Sequence, residues 1–365
     1  MTEIELYSAL VLRFSKGIGN VIAKRLIAHF QSAEAVLHTP LSDLAQIPGL
    51  GERQLRGLGS EEARRLAKRE LDFIEKNAIR GLSFRDSDYP ALLKAVGDGP
   101  FLLFQKGNIA YPEVLFSVVG TRQLTSYGKR QCEGLIEALS DYEVMIVSGM
   151  AYGADIVAHR SALRHGLPTV GVLAHGLDRI YPAPHRKYLE SICAQGGLVT
   201  EYPSGTKPER ENFPVRNRII AGMSQATLVI EAARKGGALI TAHLARGYNR
   251  EVFAVPGRAS DTYSTGCNNL IKKQQAYMLS GIDDLLYHLE WLKGRKSNTK
   301  HCERKPDLTP EEEKVIEILK DSDGASLDAI AIKSDMPIAV LAARLLELEL
   351  KGMVQPLPGK KFRLR

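Results

Sequence analysis

Residues 115–120 read LFSVVG, the first of six short runs, rich in β-branched residues, that decide the fold. The others are VMIVSG at 144–149, TVGVLA at 169–174, LVTEY at 198–202, TLVIEA at 227–232 and EVFAVPG at 251–257. Stretches with helical patterning separate these runs. Strands that alternate with helices indicate a parallel sheet covered by helices. We therefore predict an α/β fold, with a Rossmann-like domain over residues 82–292.

Residues 1–80, which precede this domain, are predicted to be all helical because apolar residues recur at helical spacing over residues 6–14 and 22–30. Twice in this region a Gly-apolar-Gly sequence opens a helix, and the glycines are Gly17 and Gly19, then Gly49 and Gly51. Such glycines permit a tight turn, and the helix start offers unpaired N–H groups to a phosphate. The region resembles a helix-hairpin-helix (SAM-like) domain, whose turns either bind DNA or serve only for packing.

Two further segments follow the Rossmann-like domain. Residues 293–307, KGRKSNTKHCERKPD, are polar, basic and without periodicity, and we predict a linker there. Residues 308–365 contain three predicted helices, at 310–320, 327–333 and 339–351, and a terminal hairpin in MVQPLPGKKFRLR. This order predicts a winged helix. Dimer formation, duplex binding and partner binding all remain open as its role.

Composition restricts the classes of function. The chain has 365 residues and a formal charge of +7, a modest basic excess that permits nucleic-acid binding without establishing it. Its N-terminus carries acids where a signal peptide carries cations, and no apolar run approaches the roughly 20 residues of a membrane span. The cysteines have no zinc-ligand spacing and are Cys132, Cys193, Cys267 and Cys302. We expect a cytoplasmic protein without a metal site or membrane association.

Polar and glycine-containing strings follow the predicted strands, at the edge of a parallel sheet where ligands bind. Gly149 and Gly153 would let the backbone approach an anion at a helix start. The strings read SVVGTR, SGMAYGAD, HGLDRIYP, TEYPSG, FPVRNRIIAGMS, GGALITA, EVFAVPG and GCNNLI, and they cover nearly all of residues 82–275. In this order they closely resemble the DprA/Smf family, the DNA-processing proteins of bacterial transformation.

This edge of the predicted sheet has the chemistry that single-stranded DNA requires, namely cations for phosphates and a flat surface for bases. Arg122 could grip a phosphate with two hydrogen bonds, and the resemblance implies that Arg122, Arg210 and Phe213 line the DNA pocket. The candidate residues are Arg122, Gly149, Arg210, Phe213, Arg216, Asn217, Arg218, Lys235 and Lys272. Weaker candidates are Thr121, Lys129 and the four hairpin glycines Gly17, Gly19, Gly49 and Gly51.

Three of these residues have alternative roles. We expect one of Arg216 and Arg218 to face DNA and the other to form a buried ion pair with Glu201 or Glu231. Phe213 precedes a proline, which favours an extended conformation. We expect its ring to be exposed for stacking on a base, and the alternative is a position in the core.

A nucleotide-binding or nucleotide-hydrolysing enzyme is the main alternative function. Residues 234–241 are similar to the PGGxGTxxE motif of Rossmann-like nucleotide hydrolases, but Ala242 and His243 stand where the catalytic Glu would follow. No GxGxxG with a following acid is present, and Gly128-Lys129 lacks the Ser or Thr of a phosphate-binding loop. We therefore expect neither enzymatic activity nor a cofactor.

The resemblance also implies the biological role. It implies sequence-independent binding of single-stranded DNA, protection of incoming DNA, and loading of the RecA recombinase during DNA uptake and transformation. It further implies a homodimer formed through the central domain.

Overall fold

A sheet of nine strands, in the part of the chain that the structure describes, organises the first of two units. The computed structural model describes residues 1–47, 49–289, 309–320, 324–350, 353–357, 359 and 361–364, and the chain divides into units 1–296 and 297–365. The nine strands are β1 (Arg80–Ser83), β2 (Leu102–Gly107), β3 (Val114–Val119), β4 (Val144–Ser148), β5 (Thr169–Val172), β6 (Gly197–Thr200), β7 (Ala226–Val229), β8 (Glu251–Ala254) and β9 (Tyr277–Met278).

The strands lie in the order β1-β2-β6-β5-β4-β3-β7-β8-β9. All neighbours from β6 to β9 are parallel, and β2 pairs antiparallel with both β1 and β6. Each of the six predicted runs overlaps one of the strands β3 to β8. The predicted Rossmann-like parallel sheet is therefore confirmed, and the sequence reading had not named the edge strands β1, β2 and β9.

Helices cover both faces of this sheet. They are α7 (Ala91–Lys94), α8 (Ser126–Leu139), α9 (Ala154–Arg164), α10 (Leu189–Gln195), α11 (Asn212–Met223), α12 (Gly237–Gly247), α13 (Thr265–Lys272) and α14 (Ile282–His288), with a 3-10 helix at Ala183–Tyr188. In β3, Leu115 and Val119 pack in the core with α11 and α12, whereas Phe116 and Val118 pack in the core with α8 and α9. Burial on both faces explains why these strands read as continuous apolar runs.

Six helices precede the sheet: α1 (Glu3–Phe14), α2 (Asn20–Phe30), α3 (Ala33–His38), α4 (Leu41–Leu44), α5 (Glu52–Gly57) and α6 (Glu61–Lys76). They share one hydrophobic core with Phe101, Leu102 and Phe104 of the β2 region. The Asn20 side chain also donates to a Glu201 carboxylate oxygen at 2.9 Å. Residues on both sides of the predicted domain boundary near residue 81 therefore pack together.

The second unit has the predicted order of three helices and a hairpin. Its elements are α15 (Pro310–Lys320), β10 (Ala325–Ser326), α16 (Leu327–Ser334), α17 (Ile338–Leu350), β11 (Val354–Leu357) and β12 (Lys361–Leu364). The strands form a small antiparallel sheet in the order β10-β12-β11. This arrangement is a winged helix, as predicted. The predicted linker at 293–307 lies outside the described residues.

Candidate nucleic-acid interface

The candidate site lies where the direction of chain crossing reverses. From β3 the chain runs through α8 to β4 on one side, whereas β7 on the other side of β3 continues through α12 to β8. The connections that leave the carboxyl ends of β3 and β7 therefore run in opposite directions across the sheet. Parallel α/β sheets bind ligands at such a point. A cleft of about 720 Å³ opens there, and its lining includes the candidate residues Thr121, Arg122, Arg210, Phe213, Arg216, Asn217 and Lys235.

Three cations stand exposed on the wall of this cleft. Arg122 follows β3, Arg210 precedes α11 and Lys235 follows β7. Among the described residues, no ion pair of these three side chains is present. Unpaired cations at a cleft attract phosphates, and the attraction weakens as salt concentration rises.

The N-terminus of α12 adds backbone donors to the same cleft. Its N-cap is Gly236, which has no side chain to cap the helix, and Gly236 and Gly237 are both exposed. Asn217 steadies this turn by donating from its side-chain amide to the Gly237 carbonyl at 3.3 Å. Asn217 is itself largely buried, and it therefore positions the turn. The helix start can hold an anion beside the side chain of Lys235.

Arg216 forms the buried floor of the cleft, with only 5 % of its surface exposed. It donates to the Val172 carbonyl and, from Nε, to Asn217 Oδ1 at 3.2 Å. Burial lowers the pKa of its guanidinium, and the nearby Asp155 carboxylate acts in the opposite direction. Burial likewise raises the pKa of Asp155. Arg216 keeps its charge, because a guanidinium stays protonated in proteins.

Gly149 does not provide the anion site that we predicted. A Cβ at this position would lie 2.4 Å from Asp155 Oδ2 and 2.7 Å from Arg216 Nη2. The glycine therefore leaves room for the Asp155 and Arg216 side chains rather than for a ligand. Its carbonyl oxygen is taken by the buried His159 ring, which donates from Nε2 at 2.7 Å.

Phe213 lies in the first turn of α11, and the prediction of an extended conformation was wrong. Pro214 is the third residue of this helix, where a missing N–H breaks no intrahelical hydrogen bond. The prediction that its ring is reachable fits the structure, since Phe213 is half-buried at the cleft. The Arg122 guanidinium lies 5.5 Å from the ring centre and that of Arg216 lies 6.0 Å from it.

Two tyrosines that the sequence reading left out join this aromatic surface. Tyr152 and Tyr181 are exposed, and both line a small pocket that adjoins the cleft at Phe213. The rings of Tyr181 and Phe213 have their centres 6.0 Å apart. Tyr152 stands in SGMAYGAD and Tyr181 in HGLDRIYP, two strings that follow predicted strands. Their positions after strand ends could have identified both tyrosines as candidates for the site.

Arg218 does not reach the cleft, which corrects our candidate set. It is buried and forms an ion pair with Glu201, with N–O distances of 2.5 and 2.6 Å. The expectation that one of Arg216 and Arg218 forms a buried ion pair fits the structure, and the other, Arg216, lines the cleft from its buried floor, because α11 is buried on all sides from Arg216 onward. Glu201 was one of the two predicted partners. The other, Glu231, instead accepts hydrogen bonds from the backbone and hydroxyl of Thr125, at the start of α8.

Two predicted lysines also lie outside the cleft. Lys272 is in the last turn of α13, which leads to the first residue of β9. This turn therefore lies toward the amino ends of the strands, whereas the cleft lies at their carboxyl ends. Lys129 is exposed in the first turn of α8 and lies 3.9 Å from Glu133. Neither side chain is part of the cleft lining.

Two of the four hairpin glycines, Gly17 and Gly49, lie where the two turns pack against each other. Gly17 and Gly49 have positive φ angles of 83° and 85°. A Cβ on Gly17 would touch Gln54 of the second hairpin, and one on Gly49 would lie 2.7 Å from Arg25 of the first. Gly19 and Gly51 are exposed N-caps of α2 and α5. The turns thus pack reciprocally and do not line the cleft.

The buried His159 near the cleft has both ring nitrogens in contact with other groups of the protein. His159 donates to Gly149 and contacts the Thr169 hydroxyl at 2.7 Å, and burial lowers its pKa to about 4. In the described part of the chain, no cluster of His, Cys, Asp or Glu side chains could hold a metal ion. No helix within the described ranges is long and apolar enough to cross a membrane.

Comparisons with known proteins agree with this architecture. A family described as DNA recombination-mediator protein A matches residues 80–290, and one described as the DprA winged helix domain matches residues 301–360. Protein Smf of Synechocystis sp. is 34 % identical over an alignment that covers 96 % of each chain.

Two solved structures are similar to the chain. The X-ray structure of DNA processing protein A from Streptococcus pneumoniae matches with a TM-score of 0.68 and 32 % identity, covering 79 % of this chain and 98 % of that one. A solved structure of the Helicobacter pylori DNA processing protein A, described for its single-stranded DNA binding mode, matches with a TM-score of 0.52 and 28 % identity. It covers 58 % of this chain and 96 % of the other.

Proposed function

The chain belongs to the DNA recombination-mediator protein A (DprA/Smf) family, and we propose that it binds single-stranded DNA without sequence preference in the cleft between β3 and β7. One observation carries this proposal: exposed cations and exposed aromatic rings line adjoining parts of one open surface. This pairing suits a strand whose phosphates and bases are both accessible.

The two parts of the surface contact different parts of a nucleotide in this proposal. Arg122, Arg210, Lys235 and the start of α12 hold phosphates, while Phe213 and Tyr181 receive bases. Arg216, at the buried floor of the cleft, adds a positive electrostatic potential. Because stacking accepts every base and phosphate contacts carry no sequence information, this arrangement binds without sequence preference.

The proposal is tested by comparing the affinity of single-stranded and duplex DNA of equal length at two salt concentrations. We expect tighter binding of the single strand. On a single strand, log K should fall against log salt with a slope of about −0.7 for each phosphate contacted. Equal affinity for duplex, or an affinity that does not change with salt, contradicts the proposal.

We also propose that the protein acts by binding rather than by catalysis. Asp155 is the carboxylate among the lining residues of the cleft, and it is buried against Arg216 and accepts from the Ala151 backbone. It is therefore poorly placed to act as a general base toward a ligand in the cleft. Release of free base from nucleoside monophosphates by the purified protein would refute this part.

The wider role follows from family membership. We propose that the bound strand is protected and delivered to the RecA recombinase, that the protein works in the cytoplasm, and that it is a homodimer through the central, Rossmann-like domain of the first unit. A pull-down of RecA by the full chain, with and without single-stranded DNA, tests the delivery step. Absence of any RecA association under both conditions counts against it.

A further inference from the structure

A buried ring nitrogen beside the aromatic pocket has no hydrogen-bond partner. His175 follows β5, has only 1 % of its surface exposed, and lines the small pocket with Tyr152, Tyr181 and Phe213. Its Nδ1 lies 2.9 Å from the Gly176 carbonyl. Its Nε2 is buried and without a partner among the described residues. An unsatisfied buried polar atom costs about 1–3 kcal/mol, and this one belongs to a residue that lines the pocket, where a ligand could supply the missing partner.

The hydrogen-bonding role of this nitrogen follows from its neighbour. A carbonyl oxygen only accepts, so Nδ1 carries the proton and donates to Gly176. In the neutral ring Nε2 is then an acceptor. Burial lowers the pKa of His175, and the Arg216 guanidinium lowers it further, which keeps the ring neutral at pH 7. His175 thus carries one acceptor in a pocket that Arg122 and Arg216 also line, and an acceptor pairs with an N–H donor rather than with a phosphate oxygen.

The pocket is sized for the edge of a ligand. Its enclosed space is about 20 Å³, the volume that one water-sized group takes. The exposed ring of Tyr181 and the half-buried ring of Phe213 border it. A base that stacks on these rings would present only one N–H group to the enclosed space. Each of the four bases has an N–H donor on its Watson–Crick edge, and in a duplex that donor is occupied by pairing.

We propose that His175 Nε2 accepts a hydrogen bond from the Watson–Crick edge of a base stacked at Phe213 and Tyr181, so that the pocket recognises an unpaired base of any identity. This inference rests on the proposed function and deepens it. It supplies a reason, beyond phosphate contacts, for single strands to bind more tightly than duplex.

The test uses the full chain and a labelled 20-nucleotide thymidine strand, compared with the same strand methylated at N3 of every thymine. Methylation removes the N–H donor and leaves the phosphates unchanged. We expect the wild-type protein to bind the methylated strand about 2- to 10-fold more weakly, the range for one neutral hydrogen bond. Wild-type affinity that is equal for the two strands overturns the inference and leaves the proposed function standing. No binding of the unmethylated strand defeats the proposed function itself.

Two variants separate hydrogen bonding from crowding by the added methyl group. His175→Leu removes the acceptor, and both strands should then bind with the same affinity. His175→Gln keeps an acceptor oxygen and should retain part of the penalty. A methylation penalty of unchanged size in His175→Leu overturns the inference, because the penalty is then steric. Melting temperatures establish that each variant folds, and if His175→Leu does not, His175→Phe takes its place.

Discussion

The guanidinium of Arg122 lies 5.5 Å from the centre of the Phe213 ring, which joins the end of β3 to the first turn of α11 across the cleft. In the proposed binding mode, this pair brings a cation for a phosphate and a ring for a base within one nucleotide's reach. Because Arg122 is exposed and Phe213 is half-buried, each can be replaced without removing the core beneath it.

Replacing Arg122 with Ala should weaken single-stranded DNA binding about 10-fold, the scale of a hydrogen bond to a charged group. The slope of log K against log salt should become shallower by about 0.7, since one phosphate contact is lost. Stability should change by about 0.5 kcal/mol or less. Arg210→Ala is expected to behave alike, and Arg164→Ala, an exposed arginine at the far end of α9, is the control. A large fall in melting temperature would instead make either arginine structural.

Replacing Phe213 with Ala should cost about 1–3 kcal/mol of binding free energy, the value of one stacked base. The salt slope should stay constant, because no phosphate contact changes. Phe213→Trp should keep most of the affinity. A core residue would lose about 3–5 kcal/mol of stability in the Ala variant and tolerate Trp poorly. Titrations and melting curves of both variants decide between these roles, and a stable Phe213→Ala with parental affinity contradicts both.

Replacing Arg218 with Ala should lower the free energy of unfolding by about 3–5 kcal/mol, because it leaves the buried Glu201 carboxylate without its cation. Urea denaturation measures this loss. Arg218→Met combined with Glu201→Leu should recover much of the stability, since no unpaired charge remains. A fully stable Arg218→Ala variant with weakened DNA binding would return Arg218 to the set of DNA-contacting residues.

His159 should make the protein less stable in acid. Its pKa is lowered in the folded state from 6.5 to about 4, so the unfolded chain binds the proton first as pH falls. Stability from this group is complete above pH 6.5 and is lost as pH falls toward 4, by at most about 1.4 kcal/mol per pH unit. The difference in unfolding free energy between wild type and His159→Gln should shrink over this window. A difference that is constant from pH 7 to pH 4 would disprove the assignment.

The full chain and residues 1–289 should both be dimers at micromolar concentration, if the dimer forms through the first unit as we propose. Light scattering coupled to size exclusion gives the mass of each. A monomer in both cases refutes the proposed dimer, and a monomer for residues 1–289 alone would assign dimer formation to the second unit.

The strand-end strings led to residues that line the cleft, and the side-chain directions within it were harder to infer. Arg122, Arg210 and Lys235 reach the cleft as expected, because each stands beside a strand end or a helix start with little structure around it. Lys272 was assigned from charge alone. Its helix runs from the carboxyl ends of the strands toward their amino ends, and a local pattern does not reveal that direction.

The sequence by itself determined the parallel sheet, its covering helices and the winged helix, because hydrophobic periodicity and turn residues act over short distances along the chain. The tertiary structure decided which polar groups line the cleft. Since α11 is packed on all sides after its first turn, Arg216 became the floor of the cleft and Arg218 a buried partner of Glu201. The same packing brought Tyr181 to Phe213, a contact between distant segments that no local pattern encodes.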